Sequence, residues 1–261
     1  MFDKLFWGAF ALIVVAVMVA LLQNRYKENP DRYISNQHQS YQKRDLQKVD
    51  KKDLQYKSAN LYERLSLLNA NLGDRVFIRI FKEQKILEVW IKPKSSRVYK
   101  ILKTYDICNY SGNLGPKLKE GDYQAPEGFY KVYKGSLNPN SRFHLSFNLG
   151  FPNRYDKAHN RTGSYLMVHG ECASIGCYAM GNKNIEEIYE LVESALDNNQ
   201  SFVNVHIFPS RLTKEWLDSH RSSRWYSFWQ NLKEGYDIFE KSHIPPTPKV
   251  ANKKYIFSNS L

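Results

Sequence analysis

The sequence contains few cysteines, only three in 261 residues, which excludes a small secreted module held together by a dense disulfide framework. It has no repeat of the kind that marks collagen, coiled coils or solenoids. Apolar residues make up 42% of the chain, so wholesale disorder is also excluded. The length allows one domain with appendages or two small domains, and either can bury a hydrophobic core.

Acidic residues are the minority among the charged side chains. The chain has 26 Asp and Glu against 38 Lys and Arg, a net charge of +12. Such a surplus favours a polyanionic partner, such as nucleic acid, an anionic membrane surface or an acidic cell-wall polymer. The sequence has no zinc-finger spacing, no basic-zipper heptads and no aromatic RNA-binding motif. We therefore predict no nucleic-acid partner, and much of the charge is typical of a solvated surface.

A long apolar run lies near the N-terminus. Leu5 to Leu22 carries no charge, and a run of about 18 residues or more is a candidate membrane span. A cleaved signal peptide is the alternative, but its apolar region is shorter, and the Ala-x-Ala sequence at Ala9–Ala11 lies inside the run. We therefore predict an uncleaved anchor over residues 1–24. Basic residues after the run favour a cytoplasmic location for the rest, although long domains translocate largely regardless of such charges.

The chain beyond the predicted anchor divides into segments that differ in composition and in the spacing of their apolar residues. Residues 25–53 are polar and charged and are predicted to form a stalk. Leucines at helical spacing predict a helix within 54–73 that docks on the globular domain. Residues 76–209 form the main predicted domain. Residues 210–261 are predicted to hold an aromatic helix and an extended tail.

Short alternating segments separated by turn signals predict a mainly β domain with flanking helices. This is an α+β fold built on a sandwich or barrel-like sheet. The predicted strands cover 76–81, 86–91, 98–108, 128–133, 141–149, 164–169 and 201–208. A helix is predicted from Asn184, capped with Glu187, to Asp197. The aromatic stripe from Trp225 to Phe239 predicts a last helix that packs against the sheet.

The densest group of reactive side chains follows the strand at 164–169. The segment from His169 to Cys177 reads HGECASIGC and precedes a helix. A nearby imidazole lowers the pKa of a cysteine thiol and accepts its proton, which makes the cysteine a nucleophile. Gly176 lets the backbone approach a substrate, and its N–H group is a candidate oxyanion donor.

Two other interpretations of this segment stay open at this point. His169, Cys172 and Cys177 could bind Zn²⁺ with one more ligand, although no CxxC pair is present. Cys172 and Cys177 could instead form a small disulfide or be buried thiols. Cys108 ends a predicted strand and is expected to be a thiol in the core.

Two long segments resemble a known family. HG followed by S-x-G-C after an apolar strand resembles the catalytic motif of YkuD-type L,D-transpeptidases. Gly121 to Tyr130 (GDYQAPEGFY) resembles a second loop of that family. Lys134–Asp156 and Arg161–Met180 resemble its YafK-like branch closely. The resemblance covers about Val76 to Pro209, half of the chain.

The resemblance implies a β-rich enzyme outside the cytoplasmic membrane that attacks peptidoglycan stem peptides. By position, Cys177 is the nucleophile and His169 the general base, with the Gly170 carbonyl orienting the imidazole. Gly176 and Cys177 would supply oxyanion N–H groups. The attack falls on the carbonyl of the third stem residue, usually diaminopimelate, and no metal or other cofactor is implied. Because this substrate lies outside the cytoplasmic membrane, the resemblance implies a catalytic domain in the periplasm. The basic residues that follow the apolar run favour the opposite orientation.

The resemblance leaves the acceptor open. An amine acceptor gives a transpeptidase. Water gives a hydrolase that trims stems or detaches a lipoprotein from peptidoglycan. A non-catalytic wall-binding module is a third possibility. Most of the family has a longer His-to-Cys spacing and a histidine at the position of Ile175. The shorter spacing and the isoleucine of this chain fit the YafK-like branch instead. Arg142, His144 and Arg161 are candidates for binding the carboxylates of the stem peptide.

Overall fold

The computed structural model describes residues 59–257, so the predicted anchor, the stalk and the start of the docking helix lie outside the described residues. Within 59–257, no helix has the length and hydropathy that a membrane crossing requires. The helices are α1 (Leu61–Leu67), α2 (Arg154–Ala158), α3 (Asn182–Asp197), α4 (Lys214–Ser219) and α5 (Tyr226–Ser242). The strands are β1 (Arg75–Phe81), β2 (Ile86–Lys92), β3 (Lys100–Asp106), β4 (Asn109–Tyr110), β5 (Gly128–Val132), β6 (Leu137–Ser141), β7 (His144–Asn148), β8 (Met167–His169), β9 (Tyr178–Ala179), β10 (Val203–Phe208), β11 (Lys249–Ala251) and β12 (Lys254–Ile256).

The strands form two five-stranded mixed sheets and a separate hairpin. The first sheet has the order β3-β2-β1-β10-β5, and only β1 and β10 in it are parallel. The second has the order β4-β9-β8-β7-β6, in which β8 and β9 are the parallel pair. Strands β11 and β12 form the hairpin. This is the α+β class that the alternating segments predict.

The first sheet is buried on both faces, because successive side chains of a strand point to opposite sides. On β1, Val76, Ile78 and Ile80 join the main core, which also contains residues of the second sheet and the apolar stripe of α3. Phe81, on the opposite face of β1, packs in an aromatic cluster with α5. The predicted packing of the aromatic helix on the sheet is therefore observed.

The docking helix is shorter than the leucine spacing predicts. Asn60 caps α1 through a reciprocal pair of bonds with Glu63, and Leu61 and Leu65 are the helix residues buried in the main core. A capping box satisfies two otherwise unpaired backbone N–H groups, which explains why the helix begins where it does. The part of the prediction that precedes residue 59 lies outside the described residues.

Three details of the sequence prediction were wrong. Helix α3 begins at Asn182 rather than Asn184, because Gly181 with φ +74° turns the chain into the helix. The single strand predicted over 141–149 is interrupted by a hairpin between β6 and β7, with His144 at φ +68°. The tail predicted as extended folds back as the β11–β12 hairpin, in which Tyr255 bonds to Asn231 of α5.

Candidate active site

The pairing of β8 with β9 places His169 and Cys177 on one face of the second sheet. Val168 lies opposite Tyr178, so Cys177 precedes β9 by one residue and is opposite Met167. His169 lies two residues further along β8, on the same side of the pleat as Met167. A strand spacing of about 4.8 Å and a two-residue offset of about 6.6 Å put the two Cα atoms about 8 Å apart. Both side chains line one cleft.

The imidazole of His169 is held in one tautomer. Its Nδ1 lies 2.6 Å from the carbonyl oxygen of Gly170. A carbonyl only accepts hydrogen bonds, so Nδ1 must carry the proton and donate it. The lone pair of Nε2 is thereby left to accept a proton, as a general base requires. The ring also packs against Phe143, with the two ring centroids 4.7 Å apart.

Burial sets the protonation states of both groups. The pKa of His169 is lowered because burial disfavours the imidazolium, with the Gly170 carbonyl opposing this in part. The pKa of Cys177 is raised because burial disfavours the thiolate. The Met167 N–H, which donates to Sγ at 3.4 Å, and the charge of Lys117 oppose this rise. At neutral pH the resting site therefore holds a neutral imidazole and a thiol.

Two glycines shape the backbone around this pair. A Cβ on Gly170 would lie 2.7 Å from the Phe143 carbonyl oxygen and 2.8 Å from Oδ1 of Asn182, so a side chain cannot fit there. Gly176 adopts φ +128°, a conformation that favours glycine. The Gly176 N–H points at the Ser174 hydroxyl over a long 3.4 Å.

The structure corrects the cysteine pairing. Cys108 and Cys172 form a disulfide, with Cα atoms 5.4 Å apart, and Cys177 is the free thiol. Cys172 is therefore neither paired with Cys177 nor a buried thiol, and Cys108 is not a thiol in the core. Both disulfide cysteines are exposed. The bond ties the loop before Cys177 to the end of β3, 64 residues away in sequence, a pairing that spacing cannot reveal.

The disulfide also removes Cys172 from the set that suggested a zinc site. Across residues 59–257, no cluster of three or more histidine, cysteine or acidic side chains is arranged to hold a metal ion.

The cleft has a volume of about 640 Å³, in the range of ligand sites. Tyr165 and Ile175 beside Cys177 are 78% and 76% exposed. Tyr123 and Phe143, also exposed, complete an apolar rim. Large exposed apolar side chains grouped around one cleft indicate a binding surface.

Lys117 is a residue of the cleft that sequence reasoning missed. It is buried, and its Nζ lies 2.5 Å from Oδ1 of Asp122. Asp122 also accepts bonds from the backbone N–H groups of Leu118 and Lys119, which holds the turn closed. A Cβ on Gly163 would lie 2.7 Å from Cε of Lys117, so this glycine makes room for the lysine. The sequence Glu120-Gly121-Asp122 indicates a turn. A local turn does not predict, however, that Lys117 lies near Cys177.

The three predicted substrate-binding residues have different positions. Arg142 lines the cleft. His144 is not among the lining residues, and its Nε2 lies 2.7 Å from Oε1 of Glu186 on α3. Arg161 is buried, pairs with Asp156 at 2.8 Å and packs over Tyr155, so its guanidinium is engaged in the interior. The placement of Arg161 corrects the prediction, because the arginine neutralises a buried carboxylate rather than facing the cleft.

Comparisons with known proteins identify the family of the chain. The YkuD family, described as the L,D-transpeptidase catalytic domain, matches residues 75–238, more than half of the chain. Two curated relatives named "Putative L,D-transpeptidase YafK", from Escherichia coli K12 and Escherichia coli O157:H7, are each 47% identical over 190 residues. The match covers 73% of this chain and 76% of each relative.

Two solved structures are also similar. The helical cell shape determining protein Pgp2 of Campylobacter jejuni has 19% identity and a TM-score of 0.41, over 74% of this chain and 81% of that chain. Bd1075 of Bdellovibrio bacteriovorus has 23% identity and a TM-score of 0.37, over 64% and 60% of the two chains. From the family match and the 47% identity, the chain belongs to the YkuD family of L,D-transpeptidase catalytic domains, beside its YafK relatives.

Proposed function

We propose that this protein is a membrane-anchored enzyme of the cell wall that forms an acyl-enzyme on Cys177 with a peptidoglycan stem peptide. The bond attacked is at the carbonyl of the third stem residue, diaminopimelate. The family acts on peptidoglycan, which supports the substrate class. The observation that carries the proposal is the free thiol of Cys177 on the same sheet face as a neutral His169 fixed by Gly170.

The geometry supports a specific order of proton transfers. Nε2 of His169 accepts the Sγ proton as the sulfur attacks the stem carbonyl, because the raised pKa of Cys177 keeps the thiol protonated until then. The tetrahedral oxyanion takes hydrogen bonds from the N–H groups of Gly176 and Cys177. Collapse breaks the C–N bond, and the leaving amine receives the proton from the imidazolium. The acceptor then attacks the thioester and restores the thiol.

Arg142 fits a carboxylate of a stem peptide. It lines the cleft, and arginine binds carboxylates in a bidentate manner, whereas Lys117 is buried and already paired with Asp122. The apolar rim would pack against the aliphatic part of the side chain of the third residue.

Hydrolysis is the second candidate reaction, and the openness of the site favours it. Tyr165 and Ile175 next to Cys177 are largely exposed and Cys177 itself is only partly buried, so the cleft is open to solvent beside the sulfur. A transferase must exclude water or outcompete it with a bound amine. As a hydrolase, the protein would trim stems or detach a lipoprotein from peptidoglycan.

Mass spectrometry of the cell wall tests the proposal. Full-length protein in detergent is incubated with isolated peptidoglycan sacculi, one batch bare and one bearing attached lipoprotein. New cross-linked muropeptides identify a transpeptidase, whereas trimmed stems or released lipoprotein without new cross-links identify a hydrolase. Cys177→Ala is expected to lower either product at least 10³-fold, since the thioester cannot form. A Cys177→Ala protein as active as the wild type would contradict the proposal.

The proposed location of the catalytic domain is the periplasm, with residues 1–24 in the inner membrane. The Cys108–Cys172 disulfide supports it, because disulfides form and persist in oxidising compartments and are rare in the cytoplasm.

Thiol counting tests this location. Full-length protein is taken from its native membrane, with free thiols blocked at lysis, and is then denatured and labelled. We expect one free thiol per chain, Cys177, and two further thiols only after reduction. A matched sample expressed without the apolar run should remain in the cytoplasm and carry three free thiols. Three free thiols in the native sample would contradict a periplasmic domain.

A further inference from the structure

A second groove lies apart from the catalytic cleft. Its walls come from β5, the loop and first turns of α2, and the C-terminal segment that enters β11, and its volume is about 560 Å³. It shares no lining residue with the cleft that holds Cys177. No acidic residue lines this groove. Four basic residues do, namely Lys131, Arg154, Lys157 and Lys249. We call this surface the basic groove.

The cations of the basic groove have no counter-ion among residues 59–257. None of the four forms an ion pair with another described residue. Asp156, the acid of α2, is buried and paired with Arg161. Lys131 is half-buried, with Nζ 3.9 Å from the centroid of the Phe202 ring. Burial and the neighbouring charge of Arg154 lower its pKa. Like charges gathered on a concave surface without a partner repel one another, and an anionic ligand relieves that repulsion.

We infer that the basic groove binds an extended peptide carrying several carboxylates. A peptide fits better than a membrane surface because the cations line a groove rather than a flat face. On β5, the outward backbone groups of Phe129 are already bonded to Asn153 and Tyr255, so side chains of the groove rather than strand pairing hold the ligand. Asn204 and Ser136 supply amide and hydroxyl groups for the backbone of such a ligand.

The natural source of the ligand rests on the proposed function, since peptidoglycan stem peptides are short chains with several carboxylates. The basic groove would then hold one stem while the catalytic cleft works on another. The enzyme would stay on its polymeric substrate between turnovers, an avidity effect that raises the effective substrate concentration.

The test measures binding in a Cys177→Ala background, so that no catalysis is needed. Full-length protein in detergent is titrated with soluble poly-glutamate and with isolated sacculi. Arg154→Gln, Lys157→Gln and Lys249→Gln are combined, because all three side chains are exposed and their loss should leave the fold intact. We expect the triple variant to bind both probes about tenfold more weakly at low salt. Added salt should remove most of the difference.

The matched control removes three exposed cations elsewhere: Lys94→Gln, Lys100→Gln and Lys241→Gln, with the same change in net charge. Its affinity should fall less than twofold. An equal loss in both triples would show attraction to net charge alone and overturn the inference. Binding to vesicles of anionic phospholipid, without binding to poly-glutamate, would overturn it in favour of a membrane contact.

The outcomes separate this inference from the proposed function. If sacculi are processed but the groove variant binds like the control, the inference about the basic groove is wrong and the proposed function is not affected. If no processing occurs but poly-glutamate binding depends on the groove, the binding site is supported. Its natural ligand must then be an acidic peptide other than a peptidoglycan stem. With intact sacculi as substrate, the triple variant of the active enzyme should raise KM with little change in kcat. Small soluble muropeptides should be turned over at the rate of the control triple.

Discussion

Replacing His169 by glutamine is expected to lower kcat/KM at pH 7 by about 10²–10⁴-fold. Glutamine is close to histidine in size but cannot accept the thiol proton. Because burial raises the pKa of Cys177, the thiol does not ionise by itself at neutral pH and depends on that acceptor. Product release from sacculi, followed by mass spectrometry, measures the effect.

The pH profile separates loss of the base from structural damage. The pKa of His169 is lowered, so the imidazole is neutral above that value, and the wild type should stay active below pH 6.5. Without the base, the rate follows the thiolate fraction. It should rise about tenfold per pH unit up to the raised pKa of Cys177. The variant should therefore approach the wild type in alkaline buffer.

His220→Gln is the matched control for this experiment. His220 stacks on Trp216, with ring centroids 4.0 Å apart, and does not line the cleft. Its profile should match that of the wild type. A His169→Gln enzyme within fivefold of the wild type at pH 7, or one with a flat profile, would contradict the role of general base.

Replacing Glu127 by alanine is expected to lower the free energy of unfolding by about 3–5 kcal/mol, because it strands a buried charge. Glu127 and Lys82 are both fully buried, with Oε1 and Nζ 3.0 Å apart. The same carboxylate accepts bonds from the backbone N–H of Gly115 at 2.6 Å and from the indole of Trp229 at 2.9 Å. Glu127 therefore joins β1, the loop that lines the cleft, and α5.

Urea unfolding at 25 °C measures this loss, and its pH dependence has a definite sign. Burial already lowers the pKa of Lys82, with Glu127 as the opposing influence. Without Glu127 the folded-state pKa falls further below the unfolded value, so the unfolded chain binds more protons at pH values between the two. The stability of the variant should therefore rise as the pH is raised from 7 towards 10.

Two control variants test whether the loss of stability comes from the buried charge of Lys82. Asp218→Ala breaks only the exposed pairs with Lys214 and Arg221, and should cost less than about 1 kcal/mol. Replacing both buried partners, Lys82→Met with Glu127→Leu, should cost less than Glu127→Ala alone, since no charge is stranded. A loss below about 1 kcal/mol for Glu127→Ala would contradict the prediction and show that the carbonyl oxygens of Asn113, Gly115 and Ala125 hold the Lys82 charge without Glu127.

The sequence and the structure agree best where information is local. Alternation over 76–81 and 86–91 predicts β1 and β2 to within a residue, since an apolar period of two follows from the strand itself. Strands β4 and β9 are two residues long and exist only through pairing with each other and with β8, so no local pattern could show them.

The sequence by itself determined the fold class through its periodicity and the family through the resemblance of its motifs. It also grouped His169 with Cys177, because the two lie within one short segment. Only the tertiary structure decided how the other side chains are used. It joined Cys108 to Cys172, placed Lys117 in the cleft and turned Arg161 into the interior. Each of these depends on which distant segments pack together. That is set by the burial of the whole core and by the need of every buried charge for a partner, neither of which is visible in a local stretch of sequence.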